Sequence, residues 1–214
     1  MNTESRGAII AVEGIIGAGK STLCQYIRRR SETIVYSEAT SSLMCEYKKE
    51  PARWALSLQI DLFTTRLTAL RSARRLAQSG SACVLDRSIL GDRAFAEANW
   101  REGHMTPTEY RIYCELYEEA LIYAPMPDII VYLDVSAETA IHRADRRGDD
   151  TRPPLSYQSA LKNAHLELLN DYESRGAHVW RAPWGTDYEG ARYSVEADFL
   201  LTRLFRDLNG VFVK

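Results

Sequence analysis

The chain lacks any run of about twenty apolar residues, so no segment reads as a membrane span. It also lacks an excess of charge. Its 27 Lys+Arg against 29 Asp+Glu give a net −2, so no basic field draws it to nucleic acid. The first residues, MNTESRG, are short and polar, so neither a signal nor a transit peptide is expected, and the cytoplasm is the expected compartment. Cysteine is scarce. Cys24, Cys45, Cys83 and Cys114 are scattered with no C-x-x-C pair, which argues against a disulfide framework or a zinc site and fits a reducing compartment. The four histidines lack metal-ligand spacing. There is no internal repeat, low-complexity tract or linker, so residues 1–214 are expected to form a single domain.

What is present is an alternation. GAIIAVEG, ETIVYSE, ACVLDRS, DIIVYLDV and AHVWRAP are short and apolar on both faces, as buried parallel strands are. Helix-like patterns lie near 20–30, 51–79, 89–102, 107–123, 137–147, 156–174 and 189–208. Strand and helix in turn predict an α/β fold with a parallel five-stranded sheet covered on both sides.

The most informative stretch is VEGIIGAGKST, 12–22. From Gly14 through Gly17, Ala18 and Gly19 to Lys20 and Ser21 it fits G-x-x-x-x-G-K-[ST] in full, with a strand before and a helix, from Thr22 on, after. Glycines let backbone N–H groups wrap a phosphate, and the helix N-terminus adds partial positive charge. Lys20 can neutralise the outer phosphates of ATP, and the Ser21 hydroxyl can meet Mg²⁺. A plain glycine-rich turn would not call for the Lys-Ser pair.

Other residues gain meaning from that motif. Asp86 and Arg87 follow the strand ACVL, where a carboxylate can hold Mg²⁺ and an arginine can stabilise charge on a transferred phosphoryl group; alone they would read as a strand-end ion pair. Glu38 follows ETIVYS and can take a proton from an attacking hydroxyl, or cap a helix. Arg143 and Arg147 share a helix face beside the charged loop RRGDDTRPPLS, 146–156. That reads as a short arginine-rich lid over about 143–156, or as a basic helix end balancing the dipole. Gln59 and Arg66 stand seven apart, two turns along one face, and a glutamine can read a base edge. The aromatic run YRIYCELYEEALIY, 110–123, reads as helix packing rather than a cofactor box.

At this point the chain resembles the deoxyribonucleoside kinase family, over about residues 8–175. GIIGAGKST, SEAT, YKKEPARWALSLQ, DRSILGDRAFAEAN and YLDVSAETAIHRADRRG carry the likeness, and DRS-x-x-x-D joined to W-x-x-x-x-Q is its most specific part. The resemblance implies a P-loop fold and transfer of the γ-phosphoryl of ATP, with Mg²⁺, to the 5′-hydroxyl of a deoxynucleoside. It implies Glu38 as the base, Lys20 and Arg87 as catalytic cations, and Gly14 to Thr22 with Arg143 and Arg147 on the ATP. Ser21 and Asp86 would face the metal, Asp86 taking the place of the usual glutamate. Gln59 would read the base, Tyr47 would reach the 3′-hydroxyl, and Phe95 would line the substrate site; the place of the family's stacking aromatic is Ala96. Arg66 with Asp92 fills the space of a thymine methyl, so purine deoxynucleosides or deoxycytidine are favoured over thymidine. The family also implies a homodimer. Two rivals stay open: a nucleoside monophosphate kinase of the thymidylate kinase type, and a non-catalytic ATP-binding module.

Overall fold

A computed structural model describes residues 6–124, 126–146, 148, 153–184 and 202. Five strands form one all-parallel sheet: β1 Ile9–Glu13, β2 Ile34–Tyr36, β3 Cys83–Asp86, β4 Ile129–Asp134 and β5 Val179–Pro183. Their order is β2-β3-β1-β4-β5. Seven helices connect them among the described residues: α1 Lys20–Arg30, α2 Met44–Lys49, α3 Pro51–Gln78, α4 Ile89–Arg101, α5 Pro107–Tyr123, α6 Ala137–Arg146 and α7 Leu155–Ser174. The sheet and its flanking helices follow the expected architecture. The expected helix at 189–208 lies outside the described residues except for residue 202.

Burial explains the layering. β1 sends Ile9 towards α3 and α5, and Ile10 and Val12 into the layer of α1 and α7. β3 splits likewise, with Cys83 and Leu85 on the first side and Val84 on the second. The expectation of strands apolar on both faces holds for the three central ones and fails at the edges. β2 leaves Ile34 37% exposed. β5 alternates, with Arg181 turned out to Glu173. An edge strand has no neighbour on one side, so solvent reaches it.

Local chemistry sets the helix ends. Pro51 starts α3, where a missing N–H costs nothing. Ser88 caps α4 by accepting from Leu90 N. Thr106 and Glu109 cap α5 reciprocally, with Pro107 between them. α3 buries Ala55, Leu58, Gln59, Leu62, Phe63 and Arg66 in one helical stripe, so the two polar members point inward with the apolar ones.

Candidate active site

The parallel register brings three acidic residues to one edge. Glu13 ends β1, Asp86 ends β3 beside Val12, and Glu38 lies two residues beyond β2. In such sheets ligands sit at the carboxyl ends of strands. The loop of residues 14–19 leaves β1 at this edge and enters α1. Gly17 has φ 83°, and a Cβ there would run into the Ala140 carbonyl oxygen of α6, so only glycine fits. Lys20 is buried and donates to the Ile15 carbonyl at 3.1 Å. Burial and the neighbouring Arg87 cation push its amine down to about 8, against the pull of Glu38 and Asp86.

Asp86 is buried and hydrogen-bonded to Ser21, while its Oδ1 has no partner. Burial raises its carboxyl, with Ser21 opposing. A hydroxyl beside a carboxylate with a spare oxygen suits a hard cation that keeps waters and phosphate oxygens as its other ligands. No group of three His, Cys, Asp or Glu side chains able to hold a metal occurs among the described residues.

Glu38 and Arg87 form the centre. Arg87 Nε donates to Glu38 Oε1 at 2.9 Å, and Nη1 donates to the Gly14 carbonyl at 3.1 Å. Arg66 Nη2 lies 3.9 Å from the same Glu38 oxygen. Burial opposes ionisation of Glu38, but Arg87, Lys20 and Arg66 outweigh it and hold the carboxyl down to about 2. Its side chain is 39% exposed, so solvent reaches it.

Arg66 in turn contacts Asp92 on α4, one full pair buried against the first turn of that helix. Burial pushes the Asp92 carboxyl up to about 7 in spite of Arg66. Gln59 is buried on the same stripe of α3 as Arg66. Gln59 Oε1, Arg66 Nε and Asp92 Oδ2 all lack hydrogen-bond partners. Leaving a buried polar atom unpaired costs about 1–3 kcal/mol, which a bound polar ligand can return.

The remaining expected residues fall as follows. Phe95 on α4 lies beneath Arg87, with the guanidinium carbon 4.3 Å from its ring centre. Tyr47 on α2 donates to Asn99 Oδ1 at 2.6 Å, and so sits against α4. Arg143, on α6, gives two N–H groups to the carbonyls of Ala18 and Trp184 at 2.9 and 3.0 Å, which fastens the phosphate loop. Thr22 is exposed in the first turn of α1. Arg147 lies outside the described residues.

The model of the family described as deoxynucleoside kinase matches residues 10–184. The chain belongs to that family. A deoxyadenosine kinase of Dictyostelium discoideum is 30% identical over 209 residues, covering 95% of this chain and 84% of its own. A deoxyadenosine/deoxycytidine kinase of Bacillus subtilis is 29% identical over 170 residues, covering 77% and 76%. Among solved structures, deoxyadenosine kinase from M. mycoides with bound dATP superposes with TM-score 0.78 at 24% identity, over 92% of this chain and 98% of that one.

Sequence reasoning about this deoxynucleoside kinase missed Glu13, Asn99, Tyr157 and His165. Glu13 Oε1 accepts from both the backbone N and the hydroxyl of Ser88, at 2.8 and 2.7 Å, and so pins the turn that presents Arg87. Gly91 leaves room for it, since a Cβ there would strike the Glu13 carboxylate. A charged residue closing an otherwise apolar strand was the available signal. Asn99 joins Tyr47 to the Tyr157 hydroxyl, which it reaches at 3.3 Å, and the His104 ring stacks on Tyr157. Nothing in the spacing of those residues announces the contact.

Proposed function

We propose that this chain moves the γ-phosphoryl group of ATP to the 5′-hydroxyl of a deoxyribonucleoside, favouring purine deoxynucleosides or deoxycytidine over thymidine. One observation carries the reading: Glu38, an ionised and partly exposed carboxylate, is held 2.9 Å from Arg87, which also donates to the Gly14 carbonyl of the phosphate loop.

The loop amides and Lys20 grip the triphosphate. Ser21 and Asp86 would hold Mg²⁺, which when bound would supply charge neutralisation for the donor phosphates. Glu38 orients the sugar hydroxyl and accepts its proton, while Arg87 and Arg143, with Arg147 in the lid of about 143–156, balance charge on the moving phosphoryl. Because the transition state is loose, position matters more than basicity, and a carboxylate with a depressed pKa suffices. Gln59 reads the base edge, Tyr47 the sugar, and the Arg66–Asp92 pair occupies the room of a thymine methyl; their unpartnered oxygens and nitrogen support this. Residues 1–214 act as one kinase domain in the cytoplasm; no helix among the described residues is long and apolar enough to cross a membrane.

The working unit is a homodimer. α5 buries only Tyr113 and Tyr117 and leaves Ile112 and Leu116, one turn apart, 45% and 42% exposed, with Trp100 of α4 and the Tyr110 ring stacked nearby. A monomeric mass in sedimentation would remove the dimer without touching the chemistry.

The deciding experiment is a phosphorylation panel at fixed MgATP with deoxyadenosine, deoxyguanosine, deoxycytidine, thymidine, their ribo-analogues, dAMP and TMP. Turnover of a purine deoxynucleoside or deoxycytidine, with thymidine poor, is the expected result. Preference for a monophosphate would mark a nucleoside monophosphate kinase, and no acceptor-dependent ATP turnover would mark a binding module.

A further inference from the structure

Among the described residues Arg87 is the one non-glycine with positive φ, at 70°. The backbone there is held in the left-handed region, which is costly for a residue with a Cβ unless its surroundings hold it. Its guanidinium is buried and constrained from three directions: by Glu38 at Nε, by the Gly14 carbonyl at Nη1, and by the Phe95 ring across its face. No hydrogen bond to Nη2 is found among the described residues.

Against Phe95 stands a second ring, edge to face. His165 of α7 lies 5.8 Å from Phe95, centre to centre, at 82°. It is itself fixed: its Nδ1–H donates to the Leu161 carbonyl at 2.9 Å, and Tyr132 of β4 lies 5.7 Å away. Its Nε2 has no partner. Burial, with the cations of Arg87 and Lys20, pushes the imidazole down to about 3, so it stays neutral.

We infer that Phe95 and His165 form a bracket that aims Arg87: the Phe95 face carries the guanidinium, and His165 wedges that ring so that Nη2 is presented to the transferred phosphoryl group. The inference deepens the kinase reading and rests on it. Its physical reason is the fate of the other contacts. Glu38 must turn part of its attention to the substrate hydroxyl during turnover, which loosens the Nε contact. The Gly14 carbonyl fixes one nitrogen alone. The ring face is indifferent to substrate and confines the guanidinium to one plane throughout. Phe95 and His165 are therefore positioning residues. A leucine would fill the Phe95 space equally well but offers no π face to a cation.

Phe95→Leu tests this. The expected result is a kcat about 10- to 30-fold lower, with the KM of MgATP and of nucleoside each within about 3-fold and an unchanged Tm, in line with loss of a desolvated cation–π contact. Phe95→Tyr, which keeps the face, recovers most of the lost kcat, and His165→Leu costs about 3-fold. If Phe95→Leu loses its fold, Phe95→Met answers the same question. The Arg87 Nε–H resonance, followed by ¹⁵N NMR, gives a second reading: sharp and ordered in the parent, broadened in Phe95→Leu. A kcat within about 2-fold of the parent, or an unchanged Arg87 signal, overturns the bracket. A parent that phosphorylates no nucleoside overturns the kinase reading instead, and the Arg87 signal then decides alone whether Phe95 holds it.

Discussion

The donor edge and the acceptor side of this site are built from different materials. On the proposed donor edge most of what is offered is backbone: a loop six residues long and a helix terminus, with one buried lysine. On the proposed acceptor side, side chains come from the segments just past β2 and β3 and from α3 and α4, with Glu38, Gln59, Arg66, Arg87 and Asp92 drawn from more than fifty residues of chain. Backbone amides are the same whatever the sequence, so the donor edge can hold a triphosphate but cannot select among acceptors. Buried side-chain atoms with unmet hydrogen bonds can select, because a wrong partner leaves them unpaired.

Substitutions should separate the two regions. Glu38→Gln breaks the chemistry common to both and should lower kcat by three orders of magnitude or more, roughly the scale of a lost general base, with nucleoside affinity nearly unchanged in equilibrium binding. Gly17→Ala breaks the donor edge through the clash with the Ala140 carbonyl and should raise the KM of MgATP by about 100-fold while nucleoside binding by calorimetry persists. Arg66→Leu leaves Asp92 buried without its cation. It should cost about 30- to 100-fold in kcat/KM for the best purine or cytosine substrate and spare MgATP. Gln59→Ala should cost about 10-fold in nucleoside KM, the scale of one or two lost hydrogen bonds. Equal effects on both substrates in any of the last three would erase the division between donor and acceptor.

The smallest effect is one of pH. Glu38 is held at about 2, below its ordinary 4.5, so its ionised form stabilises the fold above pH 4.5 and that contribution disappears as pH falls towards 2. The parent should therefore lose about 1–3 °C more Tm than Glu38→Gln between pH 5 and pH 3, a modest shift because solvent screens a partly exposed carboxylate. A parallel fall in both proteins would show that Arg87 does not hold the Glu38 charge.

Much of this was legible because its signals are local. The spacing in residues 14–21 and the strand–helix alternation need only neighbours to be read. The spacing of seven between Gln59 and Arg66 placed them on one face, and they do share one; that this face is buried came from the tertiary packing of α4 and α5 over α3. α2 was not anticipated because its six residues bury nothing and so carry no apolar period. The Glu13–Ser88 hydrogen bonds and the Phe95–His165 pair join residues some seventy apart, and no periodicity encodes such meetings.

The contact between Glu38 and Arg87 has one more effect. Each group neutralises the other, so the pair rests as a closed latch: the carboxylate is held ionised and the cation is already occupied. On the proposed reading, a phosphate that docks would compete for Arg87 and ease its hold on Glu38. One ion pair would then couple the arrival of the nucleotide to the freedom of the carboxylate that meets the acceptor hydroxyl.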